Sequence, residues 1–127
     1  MPAAPLERPA KHHVLHVLAA TIAAGPAEVF AALDSRLAPR PDARPGSGAP
    51  LRYLADAGSG TIIVQGSWWY RAEYRVVAGE RGSTIDHELV SVAQLGERAA
   101  LIAGARTAAD TPLAFHTLVR SIRLELE

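Results

Sequence analysis

The sequence predicts an α+β domain built in layers, and three observations carry that expectation. An apolar, partly β-branched run from Val14 passes into a helix-forming segment through the short joint Gly25-Pro26. The segment Trp68 to Val77 alternates with period two, the signature of a strand with one face on a core and one towards water. The C-terminal third carries apolar residues at helical spacing. At 127 residues the chain is of single-domain size and can bury a real core.

Residues 1–12 hold three of the nine prolines near their start and show no periodicity, which predicts an irregular N-terminal arm. The first strand covers His13 to Thr21. Gly25 can supply an unusual dihedral, and Pro26 suits the first helical turn because its missing N–H would have no partner there. The first helix runs from about Ala27 to Leu37, with Val29, Phe30, Leu33 and Leu37 forming its buried stripe. Residues 38–50 (APRPDARPGSGAP) are too rich in Pro and Gly to sustain a ladder or a helix and read as a flexible loop. Residues 13–127 are therefore expected to form one domain interrupted by that loop.

Beyond the loop, strands are expected at Leu51 to Ala55 and Thr61 to Gln65, joined by a turn at Gly58-Ser59-Gly60. In the strand Trp68 to Val77, alternation places Trp68, Tyr70, Ala72, Tyr74 and Val76 on one face. Trp69, Arg71, Glu73, Arg75 and Val77 fall on the other. The connection GERG, Gly79 to Gly82, leads to a partner strand from Thr84 to Val92 with Ile85, His87 and Leu89 on its inward face. An Ala-rich helix follows Gly96 to about Ala109, and Asp110-Thr111-Pro112 reads as a capped restart. The last helix then runs from Pro112 towards the terminus on a stripe of Phe115, Leu118, Val119, Ile122 and Leu126. Residues 122–127 also alternate as a strand would, but the longer pattern favours helix.

Composition removes whole classes of function. Thirteen Lys and Arg balance thirteen Asp and Glu, so no global field attracts nucleic acid. There is no cysteine, hence no disulfide, thiolate metal site or thiol nucleophile, which fits a reducing, cytoplasmic location. The apolar run from Val14 to Ala24 is too short to span a membrane and contains His16. Lys11 before it and small residues after it give it a rival reading as a signal-peptide core, which His16 weakens. No Walker A loop, GxGxxG after a strand, GxSxG elbow or HExxH motif is present.

The element order, with TIAAGPAEVFAAL near the start and WWYRAEYRVVAGERGSTIDHELVSV in the second half, resembles the START-like helix-grip superfamily (SRPBCC). That superfamily includes polyketide cyclase/dehydrase-like, pollen-allergen-type and lipid-transfer proteins. The resemblance covers most of the chain from about residue 13, and this chain would be a short, divergent member with a truncated sheet. It implies a curved antiparallel sheet wrapped around a C-terminal helix, with an apolar cavity between them.

Candidate site residues follow from the inward face. Trp68, Tyr70 and Tyr74 form an aromatic row whose polar tips suit a ligand pocket, or else ordinary core packing. His87 lies between Ile85 and Leu89 on the partner strand. It reads either as a buried imidazole satisfied by a neighbour or as a group that hydrogen-bonds a ligand or moves a proton. Asp86 and Glu88 point away from it and cannot orient it. His12, His13 and His16 do not close a metal site, because positions 12 and 16 of a strand lie ~13 Å apart and position 13 points to the other face. Arg71 and Arg75, alternating with Glu73, read as a solvated outer face, and Trp69 beside Arg71 reads either as a cation–π contact or as a side chain exposed for a partner. His116 is expected in solvent.

The expected function is binding of a small apolar or aromatic molecule by Trp68, Tyr70, Tyr74, Ile85, His87 and Leu89, with neither cofactor nor metal. A polyketide cyclase/dehydratase-type enzyme using the same pocket, with His87 as the catalytic group, is the alternative. A non-catalytic structural or interaction module, with a homodimer as one option, is the third.

Overall fold

The computed structural model describes residues 3–39, 52–66 and 68–127. Of the expected flexible loop, residues 40–50 lie outside the described residues.

The elements are β1 (His13–Ile22), α1 (Pro26–Leu37), β2 (Arg52–Asp56), β3 (Thr61–Gly66), β4 (Tyr70–Gly79), β5 (Gly82–Ser91) and α2 (Glu97–Leu126). The five strands form one antiparallel sheet in the order β1-β5-β4-β3-β2. The sheet is curved, and the long C-terminal helix packs against its inner face, so the chain is α+β in the arrangement expected. None of the described helices is long and apolar enough to cross a membrane.

Local chemistry accounts for the joints. Gly25 caps α1 in an ordinary extended conformation (φ −66°, ψ 155°), so Pro26 rather than an unusual glycine dihedral sets the entry to the helix. Gly82, at φ 145°, opens β5, and a Cβ there would run into the Ile22 carbonyl. The β4–β5 hairpin can therefore close against the end of β1 only with glycine at this position. The β1–β5 register shifts between Val14 and His16, making Leu15 the extra residue of a bulge. Leu15 then packs close over Gly104 of α2, where a side chain would leave it no room.

The C-terminal helix corrects one expectation. Asp110-Thr111-Pro112 does not restart a helix, because α2 is continuous over 30 residues with Pro112 inside it. Pro112 deprives the Ala108 carbonyl of its usual donor. Packing overrides that local signal: Ala100, Gly104, Thr111, Phe115, Val119 and Ile122 form one buried stripe running through the proline. Residues 120–126 are helical, as the longer apolar pattern predicts.

The stripe meets two separate clusters. Phe115, Val119 and Ile122 join Ile22, Val29, Leu33, Ile62, Val76 and Ile85 in the main core. Ala100, near the helix start, joins Trp69 and Ala93, with Leu15 and Tyr70 packed alongside. Between these two contacts Leu15 and Trp69 close over Gly104, and beyond it Thr107 and Thr111 leave space against the sheet.

The outer face corrects a second expectation. Residues 71, 73 and 75 point outward as alternation requires, yet Arg71 is 0% exposed. The N-terminal arm is the cause, since it crosses this face as a strap. The Ala4 N–H donates to the Tyr53 carbonyl at the β2 edge, and Arg71 Nη1 and Nη2 donate to the carbonyls of Pro5 and Leu6, each at 2.8 Å. Arg71 also donates to Gln65 Oε1 at 3.0 Å and to Glu73 Oε2 at 2.6 Å. Arg8 bridges Glu73 and Glu88. Burial alone would raise the Glu73 carboxyl, but the hydrogen bonds and charges of Arg8 and Arg71 outweigh it and hold it below the usual carboxylate range.

Candidate functional site

Where α2 fails to fill the sheet, an open cleft of about 300 Å³ remains. That is at the lower end of the ~300–1,000 Å³ typical of small-molecule sites. Strands β4 and β5 supply Tyr70, Tyr74, His87 and Leu89, and α2 supplies Thr107, Asp110, Thr111, Ala114, Phe115 and Leu118. Leu37, at the end of α1, closes one side.

Pairing of the strands determines which residues meet. Tyr74 lies directly opposite His87, and Ala72 opposite Leu89, so the inward positions of both strands form one surface. The His87 imidazole stacks on Tyr74, with ring centroids 4.2 Å apart and planes 4° apart, and Phe115 lies 5.4 Å away on a near-parallel plane. His87 Nδ1 lies 3.0 Å from the Glu73 carbonyl oxygen. A carbonyl only accepts, so Nδ1 carries the hydrogen and Nε2 is left as an acceptor. Burial pushes the His87 pKa down, and His16 nearby adds to this against the opposing pull of the Glu73 carbonyl. The ring is therefore neutral near pH 7.

Burial likewise pushes the Tyr70 and Tyr74 phenols up, so both stay protonated. Neither hydroxyl has a hydrogen-bond partner among the described residues, and neither is a sealed, orphaned atom. The Thr111 hydroxyl donates to the Thr107 carbonyl at 2.7 Å and is already satisfied. The cleft thus presents an apolar floor, two phenol groups and one imidazole acceptor.

Four of the six sequence-chosen residues, Tyr70, Tyr74, His87 and Leu89, line this cleft. Two do not. Ile85 is fully buried in the main core beside Val76 and Phe115. Trp68 stands in the turn before β4 and is 50% exposed, packing on Gly96. The correction has a simple cause: pairing of β3 with β4 starts at Tyr70, so strand alternation does not extend back to residue 68. The same turn buries Trp69, expected outside, under α2 and T-shaped against Tyr70. The helix residues Thr107, Asp110, Thr111 and Ala114 were not identified from sequence. Their signal is the run of small inward positions between Ala100 and Phe115.

The N-terminal histidines go separate ways. His12 Nδ1 lies 2.9 Å from the Pro9 carbonyl, and His13 lies 3.6 Å from Glu97. His16 Nε2 is buried without a partner among the described residues. Two larger grooves, of about 560 and 500 Å³, lie beside the strap and around the β4–β5 hairpin. Their walls are strongly charged, partly by groups engaged with the chain, such as Arg8 with Glu73 and Glu88 or Arg123 with the Thr21 carbonyl, and partly by Arg75, Asp86, Glu80 and Arg81. Neither has the aromatic floor of the inner cleft.

No family model and no curated protein matches the chain. Among solved structures it is similar to an uncharacterized protein from Rhizobium leguminosarum, at 15% identity and a TM-score of 0.35, over 87% of this chain and 96% of that one. A likeness this weak bears on neither ligand nor reaction.

Proposed function

We propose that this protein binds a small apolar or aromatic molecule in the cleft between β4, β5 and α2. The observation that carries the reading is the gap itself, where a continuous helix passes over Tyr70, Tyr74, His87 and Leu89 and the short side chains Thr107 and Thr111, ahead of Phe115, leave the space open. Unfilled apolar volume is costly to a small domain, and a ligand that occupies it recovers the lost contacts. The resemblance to helix-grip carriers points the same way.

The test is native mass spectrometry for a co-purified molecule, with titration of the uncharged fluorophore N-phenyl-1-naphthylamine. Saturable binding is expected, and Thr111→Leu, which fills the cleft without removing a needed hydrogen bond, is expected to abolish it while the fold persists. Absence of both a bound mass and saturable binding would overturn the reading.

One observation favours a second, catalytic reading of the same site. His87 is neutral, its tautomer is set by the Glu73 carbonyl, and its Nε2 is left as an acceptor, which are the requirements of a general base. A cyclase/dehydratase-type reaction would use that atom to move a proton in a folded carbonyl substrate. Loss of turnover in His87→Ala with ligand binding intact would support catalysis, and turnover unchanged in that variant would remove it.

A further inference from the structure

We infer that the cleft selects an amphiphilic amine, a molecule with an apolar or aromatic body and a cationic head, and discriminates against carboxylates. This deepens the binding reading above and rests on it.

The inference starts from the charges that line the cleft. Among the described lining residues Asp110 is the one that carries a formal charge near neutral pH, because the His87 imidazole and both phenols are neutral there. No Lys or Arg is among them. A carboxylate ligand would meet like charge and no basic partner, whereas an ammonium would meet a counter-charge and two aromatic faces.

Burial gives the ligand a direction. His87, Leu89, Thr111 and Phe115 are buried and form the floor, while Asp110 and Ala114 are exposed at the rim. An apolar body belongs on the floor and the charged head at the rim beside Asp110, where it keeps part of its hydration.

Asp110 is otherwise hard to account for. Aspartate is a poor residue for a helix interior, and here it caps nothing, because α2 runs straight past it. It has no hydrogen-bond or ion-pair partner among the described residues. A carboxylate that serves neither helix nor packing, placed at the mouth of an aromatic cleft, is suited to meeting a cation from solution.

The experiment uses three molecules with one apolar body and different heads: 2-naphthylmethylamine, 2-naphthalenemethanol and 2-naphthoate, each titrated into the full chain by calorimetry at pH 7. The amine is expected to bind about fivefold more tightly than the alcohol, the scale of an exposed ion pair, and the carboxylate more weakly than either. Asp110→Asn is expected to bring the amine to the affinity of the alcohol and leave the alcohol unchanged. Equal affinity for all three, a preference for the naphthoate, or an amine advantage that survives Asp110→Asn would overturn the inference while the cleft stands as a binding site. If none of the three binds while N-phenyl-1-naphthylamine does, this inference alone fails; if that probe is refused as well and no bound mass is found, the cleft reading fails with it.

Discussion

The two faces of the sheet treat polar groups in opposite ways. On the outer face a fully buried guanidinium, Arg71, donates to two strap carbonyls, one amide oxygen and one carboxylate. On the inner face two phenols and an imidazole nitrogen border a cleft with no protein partner among the described residues. A buried charge that is satisfied throughout is part of the architecture, since any missing partner would be expensive. Polar groups left open over an apolar floor are where a ligand adds something the chain does not supply itself.

The sharpest way to break this contrast is Arg71→Ala. It leaves the strap carbonyls of Pro5 and Leu6 and the Gln65 amide oxygen without this donor and Glu73 with Arg8 alone, and it is expected to cost about 3–5 kcal/mol in urea denaturation. A loss below about 1 kcal/mol would mean that the outer network is incidental.

Acid separates the faces next. His87 has a folded pKa below its ordinary 6.5, so its contribution is present above that pH and is lost as pH falls towards the folded value. Glu73 is also depressed, below 4.5, so the strap weakens only in a lower window, as pH falls through the folded pKa of that carboxyl. Stability measured against pH should therefore decline in two stages, and His87→Asn should remove the upper one. A single decline confined to below pH 4.5 in the parent protein would contradict this order.

Filling the cleft is a gentler probe. Thr111→Leu is expected to raise stability by about 0.5–2 kcal/mol, as cavity-filling changes commonly do. A destabilised variant would show that the space is already occupied by side-chain packing. The smallest effect belongs to Tyr74→Phe, whose hydroxyl has no partner among the described residues. Its stability should change by less than about 0.5 kcal/mol, while affinity for a hydrogen-bonding probe such as 2-naphthalenemethanol falls. A loss above 1 kcal/mol would place that hydroxyl with the structural groups.

Much of the inner face was legible before any coordinates. Alternation alone put Tyr74 and His87 on facing strands with Tyr70 and Leu89 beside them, because period two is a local property of a strand. The same rule failed at Trp68 and Trp69, which lie one turn outside the ladder. It placed Arg71 on the correct face and mistook that face for a solvated one. The cleft's helix wall was missed because Asp110-Thr111-Pro112 is a strong local stop signal that long-range packing overrode.

By itself, then, the sequence determined the element order, the sheet's two faces and four of the cleft residues, since these depend on spacing along the chain. Only the tertiary structure decided that the arm buries Arg71 on the outer face, that the last two helical segments are one, and that the inner face stays partly empty. Each of these depends on contacts between residues far apart in sequence, where the volume of one segment is set against the space left by another. Thr107 and Thr111 look unremarkable in a list of residues. Laid over Tyr70, Tyr74 and His87, they leave the opening on which the proposed function rests.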